Sequence, residues 1–238
     1  MPNSDNTLKT LGFIYQTYVA LINCFEMDEG EQVVIEHLGD VTTISAKKLA
    51  KQIEVKHHEG NSTLSDRGVD IWNTVWNWYD NYEDHKQVEE RVLFTTSALS
   101  KRSIFHKWNS LDRDEKYEAF KKIGNQIKPK ESTFRLLYSK IFDGNHCEER
   151  LKVILSSLSI LSKQETVRNI IQIKCKSYLK FLGNNEKRES FVASIFGELM
   201  TLPVRNNRWE IDFKAFDEIF KIYSERFIHK SGEPLQTE

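Results

Sequence analysis

The spacing of apolar residues changes abruptly near residue 30, and that change limits the fold more than any other feature. Leu11, Ile14, Tyr18, Leu21 and Phe25 recur at helical spacing, so residues 8–26 read as an amphipathic helix. Met27-Asp28-Glu29-Gly30 breaks it. Gln32-Val33-Val34-Ile35-Glu36 is short and β-branched and predicts a strand. Gly39-Asp40 predicts a tight turn, Val41-Thr42-Thr43-Ile44-Ser45 a second strand, and residues 49–57 a third, largely buried one. After a loop at 59–62, Ser65 or Asp66 is placed to cap a helix carrying Val69, Trp72, Trp76 and Tyr79, with Trp78 on a neighbouring face. Residues 87–97 read as a fourth strand. A helix, a three-strand meander, a helix and a strand fit a small α/β sandwich.

From Ile104 onward the pattern is helical. Trp108, Leu111, Tyr117, Phe120 and Ile123 share one spacing, with Gly124 and Pro129 as punctuation. Leu151, Ile154, Leu155, Leu158 and Leu161 form a second stripe. Further helices are expected over 167–178, 189–200 and from Phe213 to Phe227, with Pro203 interrupting and Trp209-Glu210-Ile211 as a brief extended piece. The expected division is therefore an α/β domain over 1–105 and an all-α domain over 106–238, ending in a disordered tail.

The chain has 238 residues and a net charge of -1, so it exerts no global pull on nucleic acid, and any such contact needs a local basic surface. Cys24, Cys147 and Cys175 show neither metal-ligand spacing nor a disulfide framework, and read as reduced, partly buried thiols. The polar N-terminus lacks the order of a signal peptide, and no apolar run approaches a membrane span of about 18 residues. A cytoplasmic protein without membrane contact is expected.

The chemistry concentrates in the third strand. Side chains alternate along a strand, so Glu54 and Lys56 point to the same side. An antiparallel neighbour would place Glu54 near Asp40, at the start of the second strand, with Glu36 four residues earlier. Divalent ions with oxygen ligands hydrolyse phosphodiesters by lowering the pKa of bound water and neutralising charge that builds on phosphate. The Val55 carbonyl offers a further oxygen, and a lysine can orient water or stabilise the transition state. The plain alternative is a chance Glu-x-Lys on a solvated strand face, worth little. His58 shares a face with Lys56 and suits either a phosphate or water contact or a structural role. The other histidines are too scattered for a zinc site. Trp72, Trp76, Trp78 and Tyr79 fit a core better than a base-stacking platform. Lys47, Lys48 and Lys51 are candidate phosphate contacts near the site; Lys101-Arg102 and Lys121-Lys122 are weaker ones.

Several short motifs appear in order: Gly12-Phe13-Ile14-Tyr15-Gln16, Ile35-Glu36 before Asp40-Val41, Glu54-Val55-Lys56-His57, Leu64-Ser65-Asp66, and Asp70-Ile71-Trp72-Asn73-Thr74 followed by Trp78. Together they resemble the double-stranded DNA endonuclease domain of bacterial anti-phage effectors, known from CBASS and Lamassu-type defence, within the PD-(D/E)XK superfamily. Leu93-Phe94-Thr95-Thr96-Ser97 resembles the strand that follows. The resemblance covers residues 9–105 and implies a restriction-endonuclease-like fold. It implies that Asp40 and Glu54 hold Mg²⁺ (or Mn²⁺), that Lys56 is the catalytic lysine, and that Gln16 and Glu36 support them. Relatives often carry Gln at the position of Glu54 and an acidic residue at that of Gly39. The implied partners are double-stranded DNA, further copies of the chain, and defence proteins such as an SMC-like ATPase. A catalytically inactive scaffold that binds such an ATPase or a sensor is the alternative, and an RNase or repair nuclease would share the site chemistry.

Overall fold

The computed structural model describes residues 7–45, 51–58, 60–125, 131–144, 146–166, 169–170 and 175–229. The architecture is mixed α/β with a C-terminal helical part. It divides into two compact units, one built from residues 1–48 and 165–238, the other from 49–164.

The first unit opens with helix α1 (Thr7–Glu26), then β1 (Glu31–Ile35) and β2 (Val41–Ser45). Its distal segment supplies α7 (Asn185–Asn206), β8 (Glu210–Asp212) and α8 (Phe213–His229). Strand β1 pairs antiparallel with β2, Ile35 facing Val41, and antiparallel with β8, Val33 facing Ile211. The expected extended piece at 209–211 is thus a strand of this sheet. Aromatic contacts join the helices: Tyr18 stacks on Phe196 at 4.6 Å, and Phe25 meets Phe216 edge-on at 5.4 Å. Val19, Leu21, Val33, Phe191, Ile195 and Leu199 are buried between the layers.

Pro203 does not interrupt α7 as the sequence suggests; it lies within the helix. Its ring nitrogen cannot donate to the Leu199 carbonyl one turn back. The indole Nε1 of Trp209 donates to that carbonyl instead, at 2.8 Å, and restores the lost bond. The helix ends at Asn207, whose left-handed φ of 54° and N–H bond to the Pro203 carbonyl close the last turn.

The second unit contains β3 (Lys51–Lys56), β4 (Thr63–Leu64), α2 (Val69–Asp80), α3 (Tyr82–His85), β5 (Glu90–Thr95) and β6 (Ala98–Leu99). A 3-10 helix (Ile104–Ser110), α4 (Arg113–Ile123), α5 (Ser132–Phe142), α6 (Glu148–Ser157) and β7 (Leu158–Leu161) follow. Within this unit β3, β5 and β7 run parallel in that order, and β4 and β6 form a small parallel pair. The parallel pairing of β3 with β5 is one that the expected meander does not include. Helix α2 buries Trp72, Trp78 and Tyr79 in the core of this unit, as the core reading of the tryptophans expects. Trp72 stacks on Phe120 at 4.1 Å and meets Phe134 edge-on.

Three expectations change in this unit. The cap of α2 is Gly68, not Ser65 or Asp66. Asp66 instead accepts from the Ser103 hydroxyl and the Ile104 N–H, pinning the start of the 3-10 helix. The stripe through 151–161 is helical only to Ser157, where the chain extends to pair with β5, so the second half of the chain is not all-α. The expected boundary at 105/106 falls inside the 3-10 helix of this unit. Trp108, Phe120, Leu137 and Ile154 lie C-terminal to it yet share one core with α2, so packing runs straight across it. The helix expected over 167–178 and the tail fall largely outside the described residues.

Among the described residues no helix is long and apolar enough to cross a membrane. Cys24 and Cys147 are free thiols, the first buried and the second exposed.

Candidate active site

In the first unit, the site residues gather at the β1–β2 turn. Glu36 follows β1 with a left-handed φ of 55°, a conformation that costs a non-glycine residue energy and is held only by its surroundings. Two contacts hold it. The Glu36 N–H donates to the Asp40 carbonyl at 3.1 Å, closing the turn. Buried Gln16, on α1, donates from Nε2 to Glu36 Oε1 at 3.0 Å and to the Asp40 carbonyl at 2.7 Å. Gln16, Glu36 and Asp40 thus form one hydrogen-bonded group. Asp40 stands immediately before β2, at the end of the turn.

In the second unit, Glu54 and Lys56 project from the same side of β3, and Lys56 Nζ donates to Glu54 Oε1 at 2.6 Å. Only 13% of the Glu54 side chain and 24% of the Lys56 side chain reach solvent, so this is no solvated face. Ile53 and Val55 point the other way into the core. Val55 sits opposite Phe94 in the parallel ladder, and the Lys56 carbonyl accepts from Thr96 N–H at 3.2 Å.

His58 is turned to Asp70: Nε2 and Oδ2 lie 2.7 Å apart. Asp70 occupies the first turn of α2, where the helix dipole favours an anion. The His58 main chain is fastened as well, its N–H donating to Thr96 Oγ1 and its carbonyl accepting from the same hydroxyl, each at 2.8 Å. Asp70 and Thr96 are partners that sequence reasoning did not assign. An acidic residue in a first helical turn shortly after a histidine was the available signal.

The basic contacts fare differently. Lys47 and Lys48 lie outside the described residues. Lys51 begins β3, but odd and even positions alternate along a strand, so it projects opposite to Glu54 and Lys56.

The donors suit a hard cation in type: carboxylates and a backbone carbonyl are the ligands Mg²⁺ or Mn²⁺ prefers, and Mg²⁺ keeps several waters. Among the described residues no group of three or more His, Cys, Asp and Glu side chains is gathered, so waters would complete such a shell.

No protein-family model and no curated protein matches the sequence. Solved structures do. A Moraxella osloensis Cap4 SAVED/CARF-domain containing receptor is 15% identical, with a TM-score of 0.48 over 90% of this chain and 48% of that one. The Acinetobacter baumannii Cap4 SAVED/CARF-domain containing receptor is 10% identical, with a TM-score of 0.49 over 94% of this chain and 48% of that one. The same receptor with the cyclic trinucleotide 2'3'3'-cAAA overlaps 92% of this chain at a TM-score of 0.49. This chain spans about half the length of those receptors. Likeness at this level assigns neither activity nor ligand.

Proposed function

We propose that the chain is a metal-dependent double-stranded DNA endonuclease with little sequence preference, on a restriction-endonuclease-like fold. The observation that carries the reading is the Glu54–Lys56 pair, largely withdrawn from water on one side of β3. A lysine in such a place is costly unless paired, and here its partner is a carboxylate of the type a divalent ion takes. Glu54 would hold Mg²⁺ or Mn²⁺ with Asp40 and the Val55 carbonyl, and Lys56 would orient water and meet charge growing on the phosphate. The bound ion would supply a more acidic water and neutralise phosphate charge. Gln16 and Glu36 would fix the Asp40 turn.

The ordered motifs further propose a place in bacterial anti-phage or anti-plasmid defence. Restraint would come from partner proteins, for example an SMC-like ATPase, or from self-association that brings two sites onto opposite strands.

The test is plasmid cleavage by the purified chain with Mg²⁺, with EDTA, and with Asp40→Ala and Lys56→Ala. Cleavage that needs the metal and disappears in both variants is expected. If the wild-type chain stays inactive even with its partners or when forced to oligomerise, the nuclease reading fails. A second reading then takes its place, and the 2.6 Å pair favours it too: Glu54 and Lys56 satisfy each other, as in a scaffold that keeps the fold without the reaction. A scaffold would keep its assembly with a partner ATPase or sensor after Lys56→Ala.

A further inference from the structure

We infer that Lys163, far outside the motif-bearing segment, is a DNA phosphate contact beside Lys56; this rests on the nuclease reading and names a further contact for its substrate. The three parallel strands β3, β5 and β7 end at one edge of their sheet, in a register that pairs Lys56 with Thr95 and Phe94 with Leu161. The carboxyl edge of parallel strands is where such sheets bind ligands. The chain beyond β7 is tied back to that edge by two main-chain bonds, Lys163 N–H to the Ser97 carbonyl at 2.8 Å and Gln164 N–H to the Thr95 carbonyl at 3.0 Å. Lys56 is tied to the same place through Thr96. Two strand spacings, about 10 Å, therefore separate the backbones of Lys56 and Lys163. Duplex DNA presents a phosphate about every 1.7 Å along its axis, so long side chains from backbones that close can meet one duplex together.

Lys163 is also the wrong residue for its backbone. Its φ is 55°, a left-handed conformation that glycine or asparagine adopts at lower cost. Its side chain is exposed, and among the described residues its ammonium makes no hydrogen bond or ion pair. A strained lysine with an unengaged cation on a ligand-binding edge is accounted for by a ligand with negative charge.

The test measures binding of a fluorescent duplex oligonucleotide by the full chain in EDTA across a salt series, for wild type, Lys163→Ala and Lys163→Gly. Glycine removes the side chain and relieves the strain, so a fault in folding cannot imitate the result. Both variants are expected to bind several-fold more weakly and to lose about 0.9 from the log–log salt slope, the signature of one missing phosphate contact on duplex DNA. An unchanged slope in either variant overturns the inference, as does a wild-type chain that binds no duplex at the lowest salt. Plasmid cleavage on the same preparations keeps the two claims apart. Cleavage with an unchanged slope removes Lys163 alone, whereas a lost slope in a chain that stays inactive even with its partners or when forced to oligomerise keeps the contact and removes the nuclease.

Discussion

Gln16 Nε2 donates to Glu36 Oε1 at 3.0 Å, tying the first helix to a residue held in a left-handed turn. Buried Gln16 supplies donors only to this turn, so its removal leaves the Asp40 carbonyl and the Glu36 carboxylate without that support. Gln16→Ala is expected to lower stability by about 1–3 kcal/mol. Gln16→Glu should cost more at pH 8, where a second carboxylate faces Glu36, and recover toward pH 4 as it protonates. Thermal melts across that range check both; an alanine variant as stable as wild type would show the turn holds without the glutamine.

Lys56 and His58 are expected to separate sharply. His58 already has its partners in Asp70 and Thr96, which suits a structural histidine. His58→Ala should keep metal-dependent cleavage within a few-fold while lowering the melting temperature slightly. Lys56→Ala should cost about 100-fold or more in cleavage, the scale on which a positioned electrostatic group acts. Equal losses in the two variants would assign His58 a part in the chemistry.

Alkaline pH should weaken the first unit early. Burial raises the Cys24 thiol above its ordinary value, and burial with the nearby Glu165 charge raises the Tyr15 phenol. Both stay protonated in the folded chain while the unfolded chain loses its protons. Stability is thus complete below the ordinary thiol pKa of about 8.5 and falls as pH rises above it, by about 1.4 kcal/mol per pH unit for a fully shifted group. Tyr15 adds to the slope from about pH 10. Denaturant melts at pH 8, 9 and 10 should show the decline, and Cys24→Ala should flatten it below pH 10. A slope unchanged by that substitution would place its origin elsewhere.

Gly124 closes α4 against the Tyr138 ring, and a methyl group there would sit 1.8 Å from a ring carbon. Its backbone is ordinary, so contact and not conformation forbids a larger residue. Gly124→Ala is expected to destabilise by about 1–3 kcal/mol through overpacking. Gly124→Ala combined with Tyr138→Ala should lose less than the sum of the two single losses, read as a coupling energy in a double-mutant cycle.

The N-terminal elements were legible because local pattern and final structure agree there. Leu11 to Phe25 gives α1, the β-branched run gives β1, and alternation puts Glu54 beside Lys56. Three features required longer-range information. Leu158 and Leu161 continue a helical stripe, and only the open edge of β5 turns them into a strand. Pro203 ordinarily stops a helix, and only Trp209 reveals why it does not. Helix α5 has no counterpart among the expected elements, and the Asp112–Glu115 capping box is concealed by the Trp108–Ile123 stripe that runs through it. The site divided along the same line. The shared side of Glu54 and Lys56 follows from strand alternation alone, whereas the Asp70 partner of His58 and the edge position of Lys163 depend on pairings between distant segments.

The discontinuity of the first unit has a consequence for the newborn protein. Strand β1 needs β8, and β8 is encoded after the whole of the second unit. At a ribosomal pace of about 5–20 residues per second, β1 waits on the order of ten seconds or more for that neighbour. The intervening unit can complete its own tryptophan core meanwhile. The turn that carries Asp40 is thus seated on a sheet that gains its β8 neighbour only after the whole second unit has left the ribosome.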